Sequence, residues 1–276
     1  MPELPEVETV RRSLLPLVVG RRIVAVRPAA FPGVMGDAGI AATAARIVGR
    51  AIADVRRRAK YLFLDLDDGS SLMVHLRMTG RLVAAPRDTP PLRFEHLAIE
   101  LDDDRDLRFA DQRKFGRVLH RLPEDLALLE RRLGPEPLGA GFTAASLAAS
   151  LARRPGKLKS VLLDQRLVAG LGNIYVDEAL FRARLHPERA ASGLAEQEVR
   201  RLHHAIRAVL REGLAHRGTT FSSFQDAEGV EGANQRNLRV YGRGKGGTCL
   251  RCTRPLARTV VGGRGTTFCP RCQVNG

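Results

Sequence analysis

The sequence predicts a multi-domain α+β protein, in which one helix and a β-rich N-terminal half precede a helical half that ends in a metal-binding hairpin. Three observations lead to this prediction. Short apolar strand patterns dominate residues 61–110, helix breakers are dense at 133–139, and all four cysteines lie in two Cys-x-x-Cys pairs near the C-terminus. A chain of 276 residues is long enough for two domains and a small metal module.

The first predicted element is a helix. Apolar residues recur at helical spacing from Val7 to Leu17, so the helix runs from about Glu3 toward Pro16 or Gly20. Two β-hairpins follow it.

The first hairpin joins residues 61–66 to 72–76 through the turn Asp-Asp-Gly at 67–69. The second joins residues 96–101 to 107–110 through an acidic turn. Several short strands in succession predict a sandwich or a barrel.

The second half of the chain has a different pattern. The breaker-rich segment 133–139 marks a domain boundary, and helical periodicity begins at about Thr143. The strongest helix covers residues 199–210 and closes near Gly218. Residues 219–237 are rich in Ser, Gly, Asn and Gln and predict a long loop, which is uncommon unless it is functional or disordered.

The cysteine spacing predicts a structural zinc site. Cys249-x-x-Cys252, sixteen residues and Cys269-x-x-Cys272 match a four-thiolate site, with a hairpin of residues 256–268 between the pairs. The last 37 residues contain seven Arg or Lys and no acid. Such a segment is too short to build much core, so the metal would supply its folding energy. The uniform positive charge of this segment favours a module that binds nucleic acid over one that only stabilises the end of the domain.

The overall charge points to an anionic partner. Lys and Arg number 45 against 30 Asp and Glu, which gives a net charge of +15. A surplus of this size indicates nucleic acid most often and an acidic membrane surface less often. No apolar run reaches the length of a membrane span and no signal peptide precedes the acidic start, so we expect a cytoplasmic protein.

The start of the chain is its most informative stretch. Removal of Met1 would leave Pro2 as a free secondary amine, which can attack a sugar carbon and form an iminium. Carboxylates such as Glu3 lie within one helical turn and could move protons. Taken alone, the pattern also suits an ordinary helix start, where proline and glutamate are favoured.

Three other groups of residues suggest contact with DNA. The turn Gly170-x-Gly172-Asn173 leads into a helix and can present backbone N–H groups to a phosphate. Lys60 stands where an apolar strand begins, so it could be partly desolvated and reactive. Met78, Arg113 and Phe115 lie at predicted loop tips, where they could fill the gap that an evicted base leaves. Core positions for Met78 and Phe115 are the alternative.

These segments resemble the bacterial formamidopyrimidine-DNA glycosylase family from end to end. The matches are Pro2–Glu8, Arg58–Tyr61, His75–Gly80, Asp111–Gly116, Leu133–Leu138, the turn Gly-Asn-Ile-Tyr at 172–175, and the zinc hairpin. The resemblance implies an N-terminal β-sandwich joined to a helical domain with a helix–two-turn–helix motif, then a zinc finger, with DNA between the halves. The expected bounds are 2–131 for the sandwich domain, 132–143 for a linker, 144–239 for the helical domain with its lesion-covering loop, and 240–274 for the zinc finger.

The resemblance also implies an activity and its residues. The family removes oxidised purines, such as 8-oxoguanine and formamidopyrimidines, from duplex DNA and then nicks the strand by β,δ-elimination. Pro2 would attack C1′ with Glu3 as proton donor, and Lys60 and Arg264 would be the proton donors of the two eliminations. The implied DNA-binding residues are His75, Met78, His96, Arg113, Phe115, Arg154, Lys159 and Asn173. The implied ligands of one zinc ion are Cys249, Cys252, Cys269 and Cys272. A monomer in the cytoplasm, associated with the nucleoid through DNA, is expected.

One departure and two alternatives remain. Gly232-Ala233-Asn234 stands where the family usually has aromatic residues in the lesion-covering loop, so the lesion preference is less well defined than the chemistry. The related endonuclease VIII branch, which prefers oxidised pyrimidines, typically has Gly where this chain has Leu4. A non-catalytic zinc-ribbon DNA-binding protein would explain the charge and the cysteines, but not Pro2, Lys60 and Arg264 together.

Overall fold

A computed structural model describes residues 2–28, 31–244 and 246–275. The chain divides into two compact units, of which the first comprises Met1–Arg131 with His216–Gln235 and the second Arg132–Ala215 with Arg236–Gly276. The segment 216–235, which the sequence places in the helical domain, therefore belongs to the first unit. We call it the returning segment.

The first unit combines three α-helices, a 3₁₀ helix (Pro32–Met35) and eight strands within the described residues. The α-helices are α1 (Leu4–Val18), α2 (Gly39–Ile47) and α3 (Pro123–Arg131). The strands are β1 (Ile23–Pro28), β2 (Ile52–Arg58), β3 (Tyr61–Leu66), β4 (Ser71–His75), β5 (Gly80–Pro86), β6 (Glu95–Leu101), β7 (Arg105–Asp111) and β8 (Arg117–Arg121). They form two antiparallel sheets, ordered β1–β6–β7–β5 and β2–β3–β4–β8.

The two sheets share one hydrophobic core. Leu97 and Phe109 of the first sheet and Leu64 and Val74 of the second are all buried in it, together with Leu14 of α1. The predicted sandwich and both predicted hairpins are confirmed. The strands that the sequence did not single out, such as β8, carry charged residues and lack a clear alternation of buried and exposed positions.

The second unit is helical and ends in a hairpin. Its helices are α4 (Ala144–Ala152), α5 (Leu158–Leu162), α6 (Asn173–Ala183) and α7 (Glu196–Ala215), and its strands are β9 (Ala257–Val261) and β10 (Arg264–Phe268). Thr143 caps α4, because its side chain accepts the backbone N–H of Ser146. In α7 the buried residues form the predicted apolar stripe, and the helix ends before Arg217 and Gly218, which both have positive φ. Across the described residues, every helix is too short or too polar to cross a membrane.

Candidate active site and nucleic-acid interface

The start of α1 is held by the carboxylate of Glu6. Pro2 and Glu3 are buried, and Glu6 is 1% exposed. One oxygen of Glu6 accepts the backbone N–H of Glu3 at 2.8 Å, and the other accepts that of Thr219 at 2.7 Å. Glu6 therefore joins the residue next to Pro2 to the returning segment, a role that the sequence analysis did not assign to it.

Glycines allow the returning segment to approach α1 this closely. Gly218 has φ of +81°, and a Cβ there would lie 2.9 Å from Cγ of Glu6. A Cβ on Gly232 would lie 2.2 Å from the carbonyl oxygen of Gly218. Asn234 closes the base of the loop, because its backbone N–H bonds to Gly218 and its amide to the Thr219 hydroxyl, both at 3.0 Å. Asn234 is 2% exposed, and its two hydrogen bonds stabilise the conformation of the returning segment.

Lys60 lies in the tight β2–β3 turn and is 7% exposed. The preceding residue, Ala59, has φ of +53°, and its carbonyl accepts a hydrogen bond from Arg57 at 3.0 Å. Arg57 in turn bonds to Glu8 at 3.1 Å. Burial alone would raise the pKa of Glu8, but hydrogen bonds from Arg11 and Arg12 hold this pKa below its usual value. An ionised Glu8 thus ties α1 to the turn that carries Lys60.

His75 ends β4 and is kept neutral by its surroundings. Its Nδ1 accepts the N–H of Arg77 at 2.9 Å, and its ring meets the Tyr61 ring edge-on at 4.6 Å. Burial, with the charges of Arg77 and Lys60, lowers the pKa of His75 to about 3. The charge of Lys60 therefore acts on the His75 ring, which places two of the predicted site residues together.

The low pKa of His75 predicts a loss of stability in acid. In the unfolded chain the ring takes up a proton below about pH 6.5, whereas the folded ring stays neutral to about pH 3. The contribution of neutral His75 to the free energy of unfolding is therefore complete above pH 6.5. It falls as the pH is lowered, by about 2–3 kcal/mol at pH 4.5. Urea unfolding at pH 7 and pH 4.5 should show a smaller acid-induced loss for His75→Asn, whose Oδ1 can still accept from Arg77. An equal loss in both proteins would contradict the prediction.

Met78, Arg113 and Phe115 form one exposed cluster. The Arg113 guanidinium donates to the Met78 sulfur at 3.0 Å and lies 4.9 Å from the centre of the Phe115 ring. Met78 is 38% exposed and Phe115 49%, so the alternative of core positions is wrong. We call these three residues the Arg113 cluster.

Buried Asp111 shapes the loop beneath this cluster. Its carboxylate accepts the N–H groups of Arg113 at 3.2 Å and Gly116 at 2.7 Å, and also the hydroxyl of Thr79. Its backbone carbonyl bonds to Nε2 of His96 at 2.8 Å. His96 is 2% exposed, and here it supports the Asp111 turn. Contact of His96 with DNA stays a prediction.

In the second unit, Lys159 and Asn173 meet at one backbone carbonyl. Both side chains donate to the oxygen of Gly265 in β10, each at 3.0 Å. Lys159 is fully buried, and its ammonium lies 2.6 Å from Asp177. Burial raises the pKa of Asp177 to about 6, although the Lys159 charge and a hydrogen bond from the Thr267 N–H oppose the rise. These contacts fix β10, and phosphate binding by Lys159 and Asn173 stays a prediction.

Glu178, which follows Asp177 in α6, positions the segment 239–241 that leads into the zinc module. Its carboxylate accepts the backbone N–H groups of Arg239, Val240 and Tyr241 at 2.8–3.0 Å. Sequence reasoning missed both Asp177 and Glu178. The available signal was a pair of adjacent acids on a helix whose other faces are apolar.

The turn before α6 is also built by side chains. Gln165 accepts the N–H of Gly170 at 2.9 Å and donates to the carbonyl of Leu171 at 2.8 Å. Arg154 is only partly exposed and pairs with Asp164 at 2.8 Å. Hydrogen bonds from Arg166, opposed by burial and aided by Arg154, lower the pKa of Asp164 to about 2. Arg264 is exposed at the start of β10.

The four cysteines fit one zinc ion. Their Sγ atoms all lie within 4.8 Å of one another, with 3.4 Å between Cys252 and Cys269 and 3.9 Å between Cys249 and Cys272. These separations exclude disulfide bonds and are close to the edge of roughly 3.8 Å expected for a zinc–thiolate tetrahedron. Cys249 and Cys269 also belong to a small core with Phe181 of α6. Four thiolates leave no ligand position for substrate, so the metal is structural.

Comparisons with known proteins agree with this architecture. Family models match residues 1–118 (formamidopyrimidine-DNA glycosylase N-terminal domain), 133–225 (formamidopyrimidine-DNA glycosylase H2TH domain) and 246–274 (zinc finger found in FPG and IleRS). The chain is 48% identical to formamidopyrimidine-DNA glycosylase of Herpetosiphon aurantiacus, over 99% of this chain and 100% of that protein.

Solved structures give the same result. The fold is similar to Lactococcus lactis Fpg in a complex with abasic-site DNA, with a TM-score of 0.92 and 37% identity, over 98% of this chain and 99% of that one. It is also similar to the MutM (FPG) protein of Thermus thermophilus, with a TM-score of 0.88 and 44% identity, over all of both chains.

Proposed function

The chain belongs to the formamidopyrimidine-DNA glycosylase family, and from this premise we propose that it removes oxidised purines from duplex DNA through a covalent Pro2 intermediate and then cleaves the strand. The observation that carries the proposal is the Glu6 contact, which binds the start of α1 and the returning segment at once. This arrangement suits a nucleophile that must meet one sugar carbon in one orientation.

The proposed reaction begins with the secondary amine of Pro2. Its lone pair attacks C1′, the glycosidic bond breaks, and Glu3 supplies a proton for the opening of the sugar. That proton goes to O4′, the C1′–O4′ bond breaks, and the nitrogen lone pair forms the C1′=N bond of an iminium, while the displaced base has left with the electron pair of the glycosidic bond. The iminium acidifies C2′, so elimination can expel the 3′ phosphate and then the 5′ phosphate, with Lys60 and Arg264 as the proposed proton donors. The fixed turn around Lys60 supports its assignment.

DNA as the partner is supported by several features. The net charge is +15, and the Arg113 cluster exposes an apolar and cationic surface that could replace an evicted base in the stack. Relatives of known structure bind DNA that contains abasic sites or Fapy-dG. We propose the same class of substrate here, with an oxidised purine preferred over an oxidised pyrimidine.

A panel of lesions tests this function. Duplexes that differ only in one base should be incubated with the purified zinc-loaded protein, and strand cleavage should be measured for 8-oxoguanine, a formamidopyrimidine, thymine glycol and an abasic site. We expect cleavage of the abasic site and of both purine lesions, with thymine glycol cleaved more slowly. Faster cleavage of thymine glycol would favour the endonuclease VIII alternative. Binding without any cleavage would favour the zinc-ribbon binder.

Arg113 should read the base opposite the lesion. Guanidinium donors suit the acceptors on the pairing edge of cytosine, whereas adenine presents a donor there. Arg113→Ala should reduce the preference for cytosine over adenine opposite 8-oxoguanine by about 1–3 kcal/mol, the scale of one good base contact. Cleavage of a pre-formed abasic site should fall less, because no base is evicted there. Excision rates against each opposite base measure this effect.

Arg93 offers a matched control, since its guanidinium lies 4.7 Å from the centre of the exposed Phe94 ring. Arg93→Ala removes an equal charge from a similar stack and should keep the preference for cytosine. An unchanged preference in Arg113→Ala, or equal losses on both substrates, would show that Arg113 is not the reader.

A further inference from the structure

We propose that the first unit contains a second ligand site, distinct from the proposed site around Pro2 and Lys60, which binds a small phosphomonoester such as a nucleoside monophosphate. The site is a cavity of about 390 Å³ between the segment that leads into α2 and the junction of β8 with α3. A volume of this size is in the range of pockets that bind small ligands.

The cavity lies at a different edge of the sheet from Lys60. The strand order β2–β3–β4–β8 places the β2–β3 turn at one edge and β8 at the other. Neighbouring strands are about 4.8 Å apart, so β8 lies roughly 10 Å or more from that turn. His120 pairs with Leu72, which is three residues along β4 from His75, and this adds about 10 Å along the strand.

His120 is the feature that most needs a partner. Both ring nitrogens are buried, and neither forms a hydrogen bond with any residue in the described part of the chain. A buried polar group without a partner costs about 1–3 kcal/mol, so such groups are rare in folded proteins. His120 lines the cavity with other atoms of its side chain, and a rotation of the ring towards the cavity would let a ligand there bond to one of the two nitrogens.

Guanidinium groups surround this ring. Arg46 and Arg121 line the cavity, and neither side chain forms an ion pair or hydrogen bond with another described residue. Arg117 also lines the cavity, where bonds to the carbonyls of Lys114 and Gly116, at 2.9 and 2.7 Å, hold it in place. Burial and then the Arg46 charge lower the pKa of His120, although Asp68 and Asp125 oppose this shift. Positive charges close to a desolvated imidazole favour an anionic ligand.

The rest of the lining indicates more than a simple anion. Met35 and Leu119 provide apolar surface, and Asp37 and Asp125 provide carboxylates, one of which already accepts the N–H of Leu122 at 3.2 Å. A ligand that combines a phosphate with an apolar ring and N–H donors matches all three kinds of group. A nucleoside monophosphate has this combination, whereas inorganic phosphate would use only the cationic part.

The test is isothermal titration calorimetry of the zinc-loaded protein with each of three ligands in turn: adenosine 5′-monophosphate, inorganic phosphate and adenosine. We expect the monophosphate to bind with one-to-one stoichiometry and adenosine to bind at least about tenfold more weakly, since it lacks the charge-assisted contacts. Arg46→Gln and His120→Phe should each weaken monophosphate binding by about tenfold. Arg46 is exposed, so its substitution should not prevent folding.

Arg50→Gln is the matched control, because Arg50 is an exposed arginine near α2 that pairs with Asp68 and does not line the cavity. It should bind the monophosphate as the wild type does. Equal weakening by Arg50→Gln, equal binding of adenosine, or displacement of the monophosphate by undamaged duplex DNA would each overturn the proposal. Cleavage of lesion DNA by Arg46→Gln should be unchanged, so the result is independent of the proposed repair function.

Discussion

Borohydride should trap the protein on DNA that contains 8-oxoguanine, with the adduct on the N-terminal peptide. An α-amino group titrates near pH 7.7–8.0 in peptides, so part of Pro2 is unprotonated and reactive at neutral pH. Reduction converts the iminium into a stable amine, which survives denaturing gels and can be located by peptide mapping. The prediction requires that Met1 be removed, and intact mass measurement checks this first.

Replacement of Pro2 by Glu should abolish the adduct, because a large second residue favours retention of Met1 and removes the secondary amine. Excision should fall by about 10³-fold or more, the scale seen when a covalent nucleophile is lost. Pro5→Ala is the matched control, since Pro5 lies in the same first turn of α1 but carries no terminal amine. Trapping at Lys60 in the wild type would refute Pro2 as the nucleophile.

Loss of zinc should abolish DNA binding. Cys269→Ser removes one of four ligands and also a buried member of the small core that includes Phe181 and Val240. The hairpin β9–β10, which carries Arg264, would then lose the main source of its folding energy. We expect the variant to contain less than one zinc per chain and to lose at least about 10²-fold in affinity for lesion DNA, because several phosphate contacts disappear together.

Two measurements separate this effect from general misfolding. Hydrogen exchange in β3 and β4 of the first unit should match the wild type, because the cysteines all belong to the second unit. Chelation of the wild-type protein should reproduce the loss, and added zinc should reverse it. Normal DNA affinity in a metal-free protein would contradict a structural role for the metal in binding.

Local patterns were enough to predict much of this molecule. Helix α1, the two central hairpins and the cysteine hairpin follow from periodicity and spacing within about 20 residues. The Arg113 cluster could also be anticipated, because Met78, Arg113 and Phe115 stand next to turns. These features depend on short-range rules that a single sequence displays.

Long-range burial could not be predicted in the same way. A basic run does not reveal which lysine points inward, yet Lys159 is fully buried on Asp177 while Arg153 is exposed. His96 is likewise hidden beneath the Asp111 turn. The partner of Glu6 is 213 residues away in the chain, and no local pattern connects them. Such contacts are decided by tertiary packing, which overrides residue type.

The Glu6–Thr219 contact has a consequence for biosynthesis. Thr219 leaves the ribosome 213 residues after Glu6. At translation rates of about 5–20 residues per second, this delay is roughly 10–40 seconds. During that time the sandwich can form its sheets, while the segment around the proposed nucleophile Pro2 still lacks the contact between Glu6 and Thr219. We therefore expect the site around Pro2 to be completed only after Thr219 has been synthesised, by which point helices α4 to α7 have been made as well.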